Sequence, residues 1–437
     1  MPGVGTRGAE ERVVAGRRLA GEVTVPGEVV AAEQAVLVAA LATGDSRVRN
    51  VPPGVDALLA ALTALGVQAS RLGRDVKVRS AGPQSLHPPT AALDLSGLGD
   101  AGLALLGLLA AQSFAVPVVP PAGADARSLR EALLAMGARL EAPDTGAWQV
   151  GGGKGLVGVA HSLADPEAGV KLALLIGGLC ARGVTSLRES SAPRHRVERL
   201  LRERGVEVER RREAGGDTYL LSVEGGQSVQ ATEVEIPGDL RLAYPLLAPA
   251  LARRNSEVIV RRVALRSAAR GFLDLLRQIG GEVRAAELGN DVVDLTATYS
   301  ALKPTRVAGQ RAERVAAQAP LLAVLATQIA GEFVIRDVPG WRQDEAGPLG
   351  CLFEVLRQMG ARVGEYPEGL VIKGGQPLQG ARVESRGSAD LAMALGTAGM
   401  LAHGEMVIAG TDCLSATFPD YFAVLRTLGE RPKERKR

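Results

Sequence analysis

Two hydrophobic patterns alternate along the chain. The first is an amphipathic stretch that stops at a glycine: LTALGVQ, LLAMGARL, LLRERGVEV, LLRQIGGEV, VLRQMGARV and VLRTLGE, with glycines at 66, 137, 205, 280, 360 and 429. The spacings are 71, 68, 75, 80 and 69 residues, which marks a sixfold internal repeat. Each copy predicts a helix ended by a left-handed glycine, with a short strand following in most copies. The second pattern is apolar on all sides, rich in small residues, and runs through a turn into a β-branched strand, as in LVAALATGDSRVRNV, LIGGLCARGVTSLRE and LAVLATQIAGEFVIRDV. About two helices and several strands therefore alternate within each repeat, which predicts an α/β fold with mixed sheets. Three repeats per domain predict two similar domains: residues 29–237 for repeats one to three, and residues 238–437 with the segment 1–28 for repeats four to six.

Composition narrows this picture without redirecting it. At 437 residues, with 46% apolar and 23% charged side chains, the chain has enough apolar content for two cores. The run Ala101 to Ala111 is too short to span a bilayer, and Glu10 and Glu11 stand where a signal peptide would be hydrophobic, so no membrane association and a cytoplasmic location are expected. Cys180, Cys351 and Cys413 are far apart and outline neither a disulfide framework nor a zinc motif, and His87, His161, His195 and His403 offer no metal spacing. The net charge is +3. Basic residues concentrate in Arg194 to Glu213 and in the terminal RPKERKR, but acids interleave with them, so a solvated surface is expected rather than a nucleic-acid interface.

The sixfold repeat, the Val25-Pro26-Gly27 turn, and the block IRDVPGWRQDEAGPLGCLFEVLRQMGARVGEYPEGLVIKG together resemble the enolpyruvylshikimate phosphate synthase family, the 3-phosphoshikimate 1-carboxyvinyltransferases. The resemblance runs from about Leu19 to Gly429. It implies the enolpyruvyl transferase fold, in which two three-repeat domains close over phosphoenolpyruvate and shikimate 3-phosphate. It also implies chemistry with no metal and no organic cofactor. Phosphates and carboxylates must then be desolvated together, and only fixed cations and amide donors compensate that cost.

At the positions matched to that chemistry the chain differs from the family. PGDKSxSxR is PGEVVAAEQ here, with Val29 at the Lys, Val30 at the Ser and Gln34 at the Arg. NxGTxMR corresponds to Gly97 through Leu103, and the phosphate-binding SSQ to Glu167, Ala168 and Gly169. Ala317 stands at the acidic general base, Asp344 and Pro348 at the Lys and last Arg of LRxKESDR, Asp390 at an Arg facing phosphoenolpyruvate, and Ala416 at the Lys before SFP. Four matches remain. The resemblance makes Glu345 the catalytic candidate and Arg194, Lys171 and Arg342 the substrate-binding candidates, although Lys171 suits a structural role as well.

Three readings follow. In the first, the chain is a catalytically degenerate homologue that binds a small anionic ligand or a protein partner. The second is an active 3-phosphoshikimate 1-carboxyvinyltransferase, or a relative acting on a less anionic substrate beside Val29, Val30, Leu103 and Ala416. The third, suggested by the basic segments, is RNA binding. The repeat glycines and apolar helix faces are intact in all six copies, a pattern that fits a protein kept for its fold.

Overall fold

The computed structural model describes residues 9–16, 18–143, 147–163, 167–190, 197–213, 217–265, 267–338, 348–366 and 369–429. The chain divides into two compact units, one of Glu28–Ile236 and one of Met1–Gly27 with Pro237–Arg437.

In the first unit, helices α1 (Val29–Leu41), α3 (Gly99–Ala110) and α5 (Ala168–Cys180) carry the all-round apolar pattern, and α2 (Asp56–Ala64), α4 (Ala124–Ala135) and α6 (Glu198–Arg202) are the glycine-ended ones. A helix with no polar face has to be enclosed. Every residue of α1 from Ala32, of α3 from Ala101, and of α5 through Leu179 is buried. Small residues let these helices approach backbone to backbone: a Cβ on Gly107 would lie 2.1 Å from the Ala173 carbonyl oxygen, so α3 and α5 touch where a side chain cannot fit. The glycine-ended helices bury one stripe only, Leu58, Leu59, Ala61 and Leu62 in α2 and Ala126, Leu129, Ala132 and Leu133 in α4.

Among the described residues three sheets complete this unit, and their wiring repeats. A short strand pairs parallel with a central strand, which pairs antiparallel with a third, and the third with a fourth. In the second repeat the order is Leu93–Asp94, Ala115–Val119, Trp148–Gly151, Leu140–Glu141; in the third it is Ala160–His161, Val184–Ser190, Thr218–Glu224, Val208–Arg212. In the first repeat the parallel neighbours of Ala42–Arg49 are Val229–Gln230 and Glu233–Glu235, supplied from the far end of the unit.

The second unit repeats the plan with α7 (Leu240–Ala252), α8 (Ser267–Gln278), α9 (Gln310–Arg314), α10 (Ala319–Ala326), α11 (Pro348–Gln358), α12 (Ala389–Leu401) and α13 (Tyr421–Gly429). The start of the chain closes two of its sheets: Ala20–Thr24 lies parallel to Glu257–Ala264, and Glu10–Val14 antiparallel to Glu405–Ala409. Pro249 inside α7 has no N–H to give the Pro245 carbonyl one turn earlier. The Thr397 hydroxyl of α12 donates to that carbonyl instead, at 2.8 Å, so the helix keeps its course and gains a tie to its neighbour.

Five of the six repeat glycines have φ between 79° and 95°: Gly66, Gly137, Gly205, Gly280 and Gly360. In each, the next residue's N–H returns to the carbonyl five positions earlier at 2.8 to 3.1 Å, as in Val67 to Leu62 and Val206 to Leu201. Gly429 is different. It remains helical with no left-handed φ, and a Cβ on it would come nearest to Met400 Cε at 2.8 Å, the far end of a flexible side chain; the backbone crowding falls on Gly16, where a Cβ would lie 2.4 Å from the Gly429 carbonyl oxygen.

Candidate functional site

The positions matched to anion-binding motifs lie at the starts of the buried helices. In the first unit, Val29 and Val30 form the half-buried opening of α1, and Gln34 is buried one turn later. Leu103, matched to an arginine, is 5% exposed and belongs to the apolar core of its own unit. It serves packing there and offers no surface to a ligand. Acids, by contrast, gather at these helix starts: Glu28 and Glu167 precede α1 and α5, and Asp100 lies in the first turn of α3. Glu33 departs from helix logic, a carboxyl side chain only 7% exposed on a helix whose other residues, Gln34 apart, are apolar. Burial pushes its carboxyl up to about 7, and the neighbouring Asp100 carboxylate pushes in the same direction. Glu33 therefore holds its proton to a higher pH than an ordinary glutamate does. The α5 start is packed just as closely: a Cβ on Gly169 would lie 2.5 Å from the Asp100 carbonyl oxygen and 2.9 Å from its carboxylate, so the third position of the matched SSQ has no room for a side chain.

Lys171 projects from the next turn of α5 into a buried ionic cluster. Its Nζ lies 2.6 Å from Glu189 Oε2 and 2.9 Å from Glu198 Oε2, and all three side chains are 5% exposed or less. Arg210 Nε adds a 2.8 Å contact to Glu189 Oε1, while its guanidinium sits 3.9 Å over the Tyr219 ring. The cluster ties α5, the strand Val184–Ser190, α6 and the strand Val208–Arg212 together, which is a structural use of this lysine. Arg194, Arg342 and Glu345, the other predicted site residues, lie outside the described residues, as does Asp344.

The second unit also carries acids at helix starts. Asp239 caps α7 by accepting from Arg241 N at 2.9 Å, and the Arg241 guanidinium returns to its carboxylate at 2.8 Å. Desolvation raises the Asp390 carboxyl in the first turn of α12; the Arg241 guanidinium opposes that shift and the Asp239 carboxylate adds to it. Ala317 and Ala416 are exposed and carry no titrating group.

The arginine-rich segment is laced to acids. Arg188 grips Glu213, Arg199 pairs with Glu203, and Arg212 with Asp217, so much of its positive charge is spent locally. Among the described residues, no group of three or more His, Cys, Asp or Glu is placed to hold a metal ion, and no helix is long and apolar enough to cross a membrane. Sequence reasoning passed over Glu33, although its signal was visible: a lone acid inside VVAAEQAVLVAAL, at a position where an exposed face would have needed further polar residues one turn away.

The comparisons with known proteins agree with the architecture. A family model described as EPSP synthase (3-phosphoshikimate 1-carboxyvinyltransferase) matches residues 13–425. A protein of Brevibacillus brevis named 3-phosphoshikimate 1-carboxyvinyltransferase is 30% identical over 426 residues, covering 95% of this chain and 98% of its own length. Proteins of the same name from Shouchella clausii and Gloeobacter violaceus are 32% and 33% identical, covering 94% and 93% of this chain and 96% of each relative. A solved EPSP synthase from Acinetobacter baumannii superposes with a TM-score of 0.78 at 23% identity, covering 97% of this chain and 98% of that one, and so shares its fold. With a matched family model spanning nearly all of its length, the chain belongs to the EPSP synthase family.

Proposed function

We propose that this chain is a member of the EPSP synthase family that does not carry out the family's carboxyvinyl transfer and serves instead as a binding protein, for a small ligand or a protein partner. One observation carries the reading: where the family's motifs place Lys, Arg and Ser at helix starts, this chain has Val29, Val30, Gln34 and Gly169, with Glu33 and Asp100 close by. A phosphate brought there would lose its hydration beside carboxyl groups, at positions where the family's motifs supply cations. Each lost charge-assisted hydrogen bond removes about 1.5 to 3 kcal/mol, and a transition state stabilised electrostatically depends on many of them. Asp390, at a position matched to an arginine, works in the same direction.

A second reading, the ordinary 3-phosphoshikimate 1-carboxyvinyltransferase reaction, is favoured by the names of relatives that match at 30 to 33% identity over nearly the whole chain. One pair of measurements separates the two. Calorimetric titration with shikimate 3-phosphate and phosphoenolpyruvate, and phosphate release with both present, are expected to give neither saturable heat nor turnover above background. Sustained turnover would overturn the noncatalytic reading and establish the second.

A further inference from the structure

The sixfold repeat supplies its own control for one side chain. The residue before each repeat glycine is Leu65, Met136, Arg204, Ile279, Met359 or Leu428, and all six are 2% exposed or less. In five copies this residue is apolar, and only the third copy places an arginine there. The slot is the same one. The main-chain carbonyls of Leu65, Met136, Arg204, Ile279 and Met359 each accept from a downstream N–H, those of His87, Val157, Gln230, Lys303 and Gln379, at 2.8 to 2.9 Å. Arg204 is thus held in a core position while carrying a group that stays charged.

Its guanidinium is only partly satisfied. Nη1 donates to the Leu200 carbonyl at 3.0 Å, whereas Nε and Nη2, both closed to solvent, meet no acceptor among the described residues. These two are not an arbitrary pair. Nε–H and Nη2–H form the side edge of the guanidinium, the fork that takes both oxygens of an oxyanion at once. The chain uses that edge in this way elsewhere: Arg188 Nε and Nη2 reach Glu213 at 2.7 and 3.0 Å, and Arg79 Nε and Nη2 reach Asp45 at 2.5 and 2.7 Å. Burial lowers the proton affinity of Arg204, and the nearby Glu203 carboxylate opposes that shift.

We propose that Arg204 is the anchor of a buried oxyanion site in the third repeat, holding a carboxylate, phosphate or sulfate group through its Nε and Nη2 edge. The partner is a two-oxygen acceptor because the fork is planar and both donors point the same way. It is taken up on folding or on local opening of α6, because neither nitrogen is reachable from the surface. This inference does not rest on the noncatalytic reading, and it concerns a core slot rather than the helix starts.

The test uses the full-length protein, Arg204→Met, which installs the residue found at Met136 and Met359, and Arg204→Lys, which keeps the charge but has no fork. Each is refolded from urea in chloride buffer with titrated inorganic phosphate, sulfate or acetate, and its melting temperature is read. For the wild type, at least one of these anions is expected to raise the melting temperature by roughly 3 °C per tenfold increase once binding begins to saturate. Arg204→Met should be flat and Arg204→Lys strongly blunted, and the three titrations show whether phosphate, sulfate or carboxylate fits. If Arg204→Met does not refold, the comparison of wild type with Arg204→Lys decides. An equal response in wild type and the variants would place anion binding elsewhere and overturn the proposal. So would a wild type indifferent to all three anions, which would leave Arg204 as an uncompensated core charge.

Discussion

Replacing Glu33 by Gln should stabilise the protein in alkaline solution and leave it nearly unchanged in acid. The sign follows from linkage. The Glu33 carboxyl rises from an ordinary 4.5 to about 7 in the fold, so the folded state binds more proton than the unfolded chain between those values. Stability carried by this group is therefore fully present below about pH 4.5, declines as pH rises through the interval, and is lost above about 7. The rise from 4.5 to about 7 corresponds to at most ~3.4 kcal/mol, and screening by whatever water reaches the carboxyl reduces this to about 2 kcal/mol. Glutamine has nearly the same shape and no charge to bury or to set against Asp100, so it removes the penalty without opening a cavity.

The assay is urea unfolding of wild type and Glu33→Gln at pH 5 and pH 8, compared as a double difference so that other titrating groups cancel. The variant is expected to exceed wild type by about 2 kcal/mol at pH 8 and by a few tenths at pH 5. An equal difference at the two pH values would refute the reasoning, because the effect would then be one of packing. A variant less stable than wild type at pH 8 would refute it more directly, because Glu33 would have to be a paired anion.

Further changes test the framework around this site. Lys171→Met leaves the Glu189 and Glu198 carboxylates buried without their shared cation, and should cost about 3 to 5 kcal/mol in urea unfolding even though Arg210 still reaches Glu189. A cost under 1 kcal/mol would show that Lys171 is not structural. Gly107→Ala puts a methyl 2.1 Å from the Ala173 carbonyl oxygen and should cost about 1 to 3 kcal/mol by forcing α3 and α5 apart, read as a lower melting temperature.

Much of the fold was legible in the chain because it is encoded redundantly. Six glycine-ended helices recur, and five of those glycines are left-handed with the same returning hydrogen bond, so a reader who misjudged one copy would be corrected by the others. Gly429 was misread because the same helix-end pattern can finish on a glycine that stays helical, and the letter alone does not report the dihedral angle. The site was harder to read for a related reason. Val29 and Gln34 announce a missing charge in sequence, but the crowding of Gly169 on Asp100 and the proximity of Glu33 to Asp100 depend on three helices far apart along the chain. No local pattern reports such a meeting. Lys171 was legible as a match and opaque as to role, since its partners Glu189 and Glu198 are 18 and 27 positions away.

The division of labour among the helices explains how the site's chemistry can change while the fold does not. The information that stops and turns the chain lies at the C-terminal ends of α2, α4, α6, α8 and α11, in their glycines and in the carbonyls just before them. The positions matched to anion binding lie at the N-terminal starts of other helices, chiefly α1, α3, α5 and α12. Substituting Val for Lys at position 29 disturbs none of the returning hydrogen bonds, and leaves the buried run from Ala32 to Leu41 as it was. The coupling is not zero, however. Once Gly169 admits the α3 backbone at Asp100, a side chain can return there only if α3 withdraws, and α3 is held by its contact with Ala173. Restoring cations at Val29 and Gln34 alone would therefore be met by Glu33 and Asp100 and by a third position that cannot be filled. On the proposed noncatalytic reading, phosphate binding requires the Asp100 to Gly169 packing rebuilt along with the charges, and the triple change Val29→Lys, Glu33→Ala and Gln34→Arg, without that rebuilding, should still fail to bind shikimate 3-phosphate in calorimetry.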